Sequence, residues 1–308
     1  MPDTQIDPKL EQVVRRIDPQ SKLLRAWALK GGISAQVTAL EIERFGGEVE
    51  KWVVRQHGAV DRAHNPNIAA DEFRLLALLQ ANGIRAPKAY GFDASGEIFP
   101  APYIVLEYVE GAPEFAPPDL NETLLQFARA LAQIHRIDGT MAELSFLPQQ
   151  QQRQTEKLSQ RPARLDDSLD EGRIRATLEA VWPVNQINRT ALLHGDTWPG
   201  NLLWRDGKLA AVIDWENAAL GDPLADLSNT RLEVLWAFGN EAMEQFTDCY
   251  LSLMPDLDSA NLPYWDLCAA LRPASKIGDW AGDAEIERKM RAGHKQFVTQ
   301  AFEKLSAG

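Results

Sequence analysis

The residues best suited to chemistry lie close together: His194-Gly195-Asp196, then Asn201, then Ile213-Asp214-Trp215. Asn and Asp supply hard oxygen ligands of the kind Mg²⁺ prefers, and Mg²⁺ is usually held by one or two protein groups plus the phosphates of a nucleotide. Asp196 stands five residues before Asn201, in a Gly- and Pro-containing loop where a side chain can be aimed at an incoming hydroxyl. Such a carboxylate can accept or orient the hydroxyl proton while a metal neutralises charge building on the transferred group. These residue types, so spaced, point to phosphoryl transfer.

The elements around them must bring the three side chains together. Asp206-Gly207 is a type I′ turn signal between Leu202 to Arg205 and Lys208 to Asp214. A two-residue loop there pairs Arg205 with Lys208 and Trp204 with Leu209, and continuing the register sets Asn201 opposite Val212. Asp214 is then the diagonal neighbour of Asn201 on the same face, at roughly 7–8 Å, within reach of one shared cation.

The first third reads as strands around one helix. Gly46-Gly47 is expected to close a hairpin between Gln36 to Phe45 and Glu48 to Gln56, pairing Leu40 with Val53 and Thr38 with Arg55. Arg55 then faces the glycine turn Gly31-Gly32-Ile33-Ser34. A helix from about Ile68 to Gln80, stopped by Asn82-Gly83, carries Leu75, Leu76 and Leu79 on its apolar side, with Glu72 aimed the same way. A carboxylate so placed needs a cationic partner. A strand from Tyr103 to Tyr108 leads into the Pro-rich stretch from Ala112 to Pro118, which sets a boundary between a lobe over 1–110 and another over 111–308.

The remainder looks mainly helical. From Thr123 to Ile137 the apolar period is helical, and His135 lies on its buried stripe as a core histidine. Asp222-Pro223 has the N-cap and first-turn signature of a helix, with Asp226 an acid near its positive end.

His194-Gly195-Asp196 with Asn201, followed by Ile213-Asp214-Trp215, resembles the paired motifs of the aminoglycoside phosphotransferase family, small-molecule kinases with a protein-kinase-like fold. The resemblance implies an α+β, bilobal chain: a small N-terminal lobe of antiparallel sheet with one main helix, binding nucleotide, and a larger, mainly helical C-terminal lobe for catalysis and acceptor. It makes Asp196 the catalytic base, Asn201 and Asp214 the Mg²⁺ ligands, and His194 and Asp226 supports of the catalytic loop. It also implies that Ser34 belongs to a phosphate-covering turn, that Arg55 holds the α- and β-phosphates with Glu72 as its partner, and that the Glu107-Tyr108-Val109 backbone meets the adenine edge. The implied cofactors are Mg²⁺ and ATP or GTP, and the implied partner is a small-molecule hydroxyl acceptor of aminoglycoside-like, macrolide-like or other metabolite character. Protein kinases carry Lys where this chain has Arg55; Arg keeps the charge and can grip phosphate in a fork.

Composition narrows the alternatives. The chain has 308 residues, 45% hydrophobic and 25% charged, in the ordinary globular range. No apolar run approaches a membrane span of ~20 residues and the polar N-terminus lacks a signal-peptide core, so no membrane partner and a cytoplasmic location are expected. The 44 acidic against 32 basic residues give a net charge of −12, which disfavours nucleic acid. That sign inclines toward a cationic acceptor, and the acidic stretch Asp166, Asp167, Asp170, Glu171 is either a solvated surface or a flap near such a ligand. Two other functions compete: a degenerate kinase fold that only binds nucleotide, and a metal-dependent phosphoesterase. The second needs clustered histidines, and the chain has five, scattered.

Overall fold

A computed structural model describes residues 7–29 and 35–307. The chain divides into two compact units with the boundary between Glu110 and Gly111.

The N-terminal unit contains helix α1 (Pro8–Ile17), strands β1 (Lys22–Ala28), β2 (Ala35–Glu43) and β3 (Val49–His57), helices α2 (Ala59–His64) and α3 (Ile68–Ala81), and strands β4 (Ala89–Asp93) and β5 (Tyr103–Glu107). The strands form one antiparallel sheet in the order β1-β2-β3-β5-β4. Alternation along β3 sorts its side chains. Trp52 and Val54 join a core cluster with Leu10, Val13 and Val14 of α1, Leu40 and Ile42 of β2, and Tyr103 and Val105 of β5. Val53 and Arg55 therefore point to the opposite face, and Arg55 meets α3 there. Helix α1 was not foreseen, although Asp7 caps it, accepting from the Lys9 amide, and Pro8 stands in its first turn.

The register of β2 and β3 differs by one residue from the expected hairpin: Leu40 pairs with Trp52, Thr38 with Val54, and Val37 with Arg55. The loop holds three residues, not two. Arg44 donates to the Glu48 carbonyl at 2.8 Å and accepts from the Gly47 amide at 3.0 Å, with Gly46 and Gly47 both at positive φ. A one-residue slip moves every side chain to the other face, and this register is the one that buries Leu40, Ile42 and Trp52 together.

The C-terminal unit contains α4 (Leu120–His135), α5 (Gln150–Ser159), α6 (Glu171–Val181), strands β6 (Ala191–Leu193), β7 (Leu202–Arg205), β8 (Lys208–Val212) and β9 (Ala219–Gly221), then α7 (Pro223–Phe238), α8 (Asn240–Leu253), α9 (Leu262–Ala270), α10 (Ile277–Ala281) and α11 (Ala284–Ala307). Two short antiparallel pairs, β6 with β9 and β7 with β8, sit among the helices. Helix α7 is the central element. Asp222 caps it by accepting from the Leu224 amide at 3.0 Å, and most of its residues from Pro223 to Leu235 are buried. Arg231 of α7, buried, donates to Asp266 of α9 at 3.2 Å and to Thr247 of α8, tying three helices through polar groups. Among the described residues no helix is long and apolar enough to cross a membrane.

Candidate active site

The loop from His194 to Asn201 leaves β6 and enters β7, and α7 pins it from one side. Asp226, buried in the first turn of α7, accepts from the His194 amide at 2.6 Å and the Gly195 amide at 2.9 Å. Burial alone would raise the Asp226 carboxyl; His135 beside it and the His194 amide outweigh that and hold it below the usual carboxylate range. One turn on, the Thr230 hydroxyl donates to the Asp226 carbonyl at 2.9 Å and so accepts from the Thr197 hydroxyl at 2.7 Å. Two turns on, Glu233 meets Arg272 at 3.8 Å. Asp226, Thr230 and Glu233 therefore line one face of α7 at helical spacing, all toward this loop or its partner.

His194 is fully buried and works within the loop. Its Nδ1 accepts from the Asp196 amide at 3.3 Å and its Nε2 donates to the Ile213 carbonyl at 3.0 Å, a pairing that suits the neutral ring with the proton on Nε2. The imidazole thus joins the loop to the end of β8. His135, also buried, bridges Tyr250 at 2.7 Å and Asp226 at 3.3 Å, so it is a satisfied core histidine that helps hold the Asp226 anchor.

Gly195 has a specific reason to be glycine. Its φ is +82°, and a Cβ there would stand 2.2 Å from the Asn217 carbonyl oxygen. Asp196 follows directly. Asn201 donates its amide to the Asp196 carbonyl at 2.9 Å and lies 3.3 Å from the Asp196 carboxylate Oδ2. Both partners are acceptors, so the Asn201 NH₂ must face them and its Oδ1 is turned the other way.

Asp214 reaches this loop through the β7–β8 hairpin, though not by the expected register. Arg205 pairs with Lys208 and Trp204 with Leu209 as the turn requires. A bulge between Leu203 and Trp204 then shifts the ladder, so Val212 faces Leu202 and not Asn201, and the Asn201 carbonyl accepts from the Ile213 amide at 2.9 Å. Asp214 is the next residue, in the left-handed region at φ 68°, a conformation Asp tolerates better than most residues. The bulge and the left-handed turn together carry the chain from β8 into the Trp215–Asn217 helical turn, whose Asn217 abuts Gly195.

Two neighbours of Asp196 carry no assigned role in the sequence reading. Arg272, just after α9, donates Nη2 to Asp196 Oδ1 at 2.5 Å. Burial opposes the Arg272 charge, but Asp196 and Glu233 outweigh that and hold it above its ordinary value. Glu233 is pushed up to about 7 by burial, with Asp196 adding to the rise and Arg272 opposing it. The signal for Glu233 was available: an acid two turns after Asp226, on the same side of a largely buried helix.

In the N-terminal unit Arg55 donates to Glu72 Oε1 at 3.1 Å, and both are buried. His57 lies 3.4 Å from Glu72 Oε2, yet burial and then Arg55 push its pKa down to about 4, since Glu72 is engaged by Arg55. The Glu107 amide donates to the Lys88 carbonyl at 2.7 Å and the Glu107 side chain accepts from the Lys88 amide at 3.1 Å, while Tyr108 donates to the Lys51 carbonyl at 3.1 Å. Val109 follows β5 outside any strand or helix. Ser34 and the rest of its glycine turn lie outside the described residues.

Residues 27–262 match the phosphotransferase enzyme family. Over 173 residues the chain is 28% identical to acyl-CoA dehydrogenase family member 10 of Mus musculus, covering 51% of this chain and 16% of that protein. Over 186 residues it is 27% identical to viomycin phosphotransferase of Streptomyces vinaceus, covering 56% of this chain and 63% of that one. The alignments thus span less than two thirds of either relative. The fold is also that of the GDP complex of wild-type aminoglycoside 2′-phosphotransferase-IIIa, at a TM-score of 0.64 and 18% identity over 96% of this chain and 99% of the other. The loop anchored on Asp226, the β7–β8 hairpin and the antiparallel N-terminal sheet are thus parts of a protein-kinase-like fold, and the chain belongs to the phosphotransferase enzyme family.

Proposed function

We propose that this protein transfers the γ-phosphoryl group of ATP or GTP to a hydroxyl of a small molecule, with Asp196 as the base and Asn201 and Asp214 as ligands of Mg²⁺. The observation that carries the reading is the join between Asp196 and Asn201. The Asn201 NH₂ is committed to Asp196, which leaves Oδ1 as a hard oxygen donor, and the Asn201 carbonyl is bound by the residue preceding Asp214. One amide oxygen and one carboxylate suit Mg²⁺, which takes its remaining ligands from phosphates and water. When bound, the metal would neutralise charge on the phosphates being separated.

The chain's own residues do the rest. Asp196 accepts the proton of the acceptor hydroxyl as its oxygen bonds to the γ-phosphorus; the bond from that phosphorus to the β-phosphate oxygen breaks, and nucleoside diphosphate leaves. His194, Asp226 and Thr230 hold the loop so that Asp196 is aimed before the acceptor arrives. Arg55, fixed by Glu72, supplies a buried cation for nucleotide phosphates, and the backbone at Glu107 and Val109 offers the adenine edge its polar groups. The relative named for viomycin makes an antibiotic acceptor one option, and the relative named as an acyl-CoA dehydrogenase family member makes a metabolite another.

The test is nucleoside diphosphate release from ATP or GTP, with Mg²⁺, across a panel of alcohols. The reading requires release that depends on both the metal and an alcohol. Nucleotide binding without release on any alcohol would instead support a degenerate binding module, and phosphate release from phosphoesters without nucleotide would support a phosphoesterase.

A further inference from the structure

The acids that inclined the sequence toward a cationic acceptor are engaged elsewhere. Asp166 caps the turn before α6 by accepting from Ser168 and pairs with Arg291 at 3.5 Å, Asp170 pairs with Arg173 at 3.6 Å, and Glu171 receives Arg175 at 2.8 Å. Asp166 ties its turn to α11, whereas Asp170 and Glu171 pair with arginines one turn further along α6 itself.

Cations gather instead around Arg272, the partner of Asp196. The two Asp196 carboxylate oxygens face different groups: Oδ2 lies 3.3 Å from the Asn201 amide, on the metal-ligand side, and Oδ1 takes Arg272 at 2.5 Å on the opposite edge. Arg153 of α5 joins the same loop system, donating to the Asn217 carbonyl at 2.8 Å, and Asn217 is the residue that abuts Gly195. Lys157 stands four residues after Arg153, one turn along the same face of α5, and Lys276 four residues after Arg272. The two pairs are in electrostatic contact: the Lys157 ammonium is held below its ordinary pKa by desolvation first, then by Arg272, Arg153 and Lys276. Lys157 and Lys276 both reach the surface, although neighbouring protein crowds Lys157 enough for desolvation to lead its shift. In a chain of net charge −12, four mutually repelling cations around two carboxylates, Asp196 and the Glu233 that burial pushes toward its protonated form, are costly unless an anion joins them.

We infer that the acceptor is a hydroxy acid: a molecule whose anionic group, carboxylate or phosphoryl, is received by Arg272, Lys157 and Lys276 while its hydroxyl meets Asp196. This rests on the phosphotransferase reading above and names the substrate class of that same site. In the free protein Arg272 covers Asp196 Oδ1. An acceptor anion takes over the guanidinium, in the fork geometry Arg offers to carboxylate and phosphate, and so frees that oxygen for the hydroxyl proton. A polycationic acceptor would have to enter against these four charges.

Two matched series test this: gluconate, glucose and glucosamine; and glycerate, glycerol 3-phosphate, glycerol and 3-amino-1,2-propanediol. Each compound is measured for diphosphate release with Mg²⁺ and nucleotide and, separately, for calorimetric binding to the protein with and without nucleotide. The acid members are expected to exceed their neutral partners by about tenfold or more in kcat/KM or affinity, with amines weakest. Glycerate against glycerol 3-phosphate tells which anion fits. In the Lys157→Met, Lys276→Met double variant the acid-to-neutral ratio is expected to fall toward one, and Arg in both positions to restore it. Equal or better use of neutral or amine members, binding of no acid in either state, or an acid preference unchanged in the double variant would overturn the proposal. Failure of the kinase reading shows as absence of nucleotide binding or as binding without diphosphate release on any alcohol, and in either case the acid-binding arm without nucleotide still decides the present inference.

Discussion

Asp196 accepts from two cationic or amide partners, one on each carboxylate oxygen, and its neighbour Gly195 has no room for a side chain. Replacing Asp196 by Ala is expected to lower kcat by about 10²–10⁴ while nucleotide affinity changes little, because a base acts on the acceptor proton and not on the nucleotide. Asp214→Ala is expected instead to abolish Mg²⁺-dependent nucleotide binding and turnover together. Titrating nucleotide with and without Mg²⁺ separates the two, and full activity in the Asp214 variant would contradict the metal assignment. Gly195→Ala forces a Cβ to within 2.2 Å of a backbone oxygen at a φ of +82°, so the loop must move. A loss of about 2 kcal/mol or more in urea unfolding is expected, with activity falling alongside.

At the level of elements, α7 decides how well the loop is held. Its Thr230 hydroxyl bonds Thr197 and its Asp226 bonds two loop amides, so the helix acts as a template for the loop backbone. Thr230→Val keeps the shape and removes one buried hydroxyl pair, leaving Thr197 short of a partner. A cost of about 1–2 kcal/mol is expected, and a fall in kcat with little change in KM for nucleotide. Removing the helix cap with Asp222→Ala is expected to cost about 0.5–2 kcal/mol in thermal or denaturant unfolding. The two hairpins show where element-level reading reaches its limit. Turn residues located both loops, but a three-residue loop in one and a bulge in the other moved each register by one. Such a shift is chosen by which face gains apolar burial, a comparison that needs the other layers present.

For the whole molecule, two buried groups leave opposite marks on stability against pH. Glu233 is pushed up to about 7, so between about pH 4.5 and 7 the folded chain holds a proton the unfolded chain has lost, and stability falls as pH rises. His57 is pushed down to about 4, so between about pH 4 and 6.5 the unfolded chain binds the extra proton, and stability falls as pH drops. The two slopes partly cancel in the native protein. Glu233→Gln removes the first, so its stability relative to the native chain is expected to improve by about 1–3 kcal/mol from pH 4.5 to pH 7. Denaturant unfolding at both pH values checks it; a difference independent of pH would show that Glu233 is not held protonated. The net charge of −12 says how the surface repels nucleic acid, whereas the charge around Asp196 depends on which few residues converge there.

The sequence by itself determined the things that depend on neighbours along the chain. The His-Gly-Asp loop and its Asn at fixed spacing, the Asp-Gly turn, the α3 stripe with Glu72, and the cap at Asp222 are all local patterns; the α+β, bilobal architecture came with the family resemblance that the first of them carries. The tertiary structure alone decided what depends on chain segments far apart in sequence. Arg272 reaches Asp196 across 76 positions, and Arg231 reaches Asp266 across 35. No periodicity encodes such pairs, because the free energy of bringing two side chains together is set by how helices pack around a shared core, and a local pattern carries no record of which helix will lie beside which.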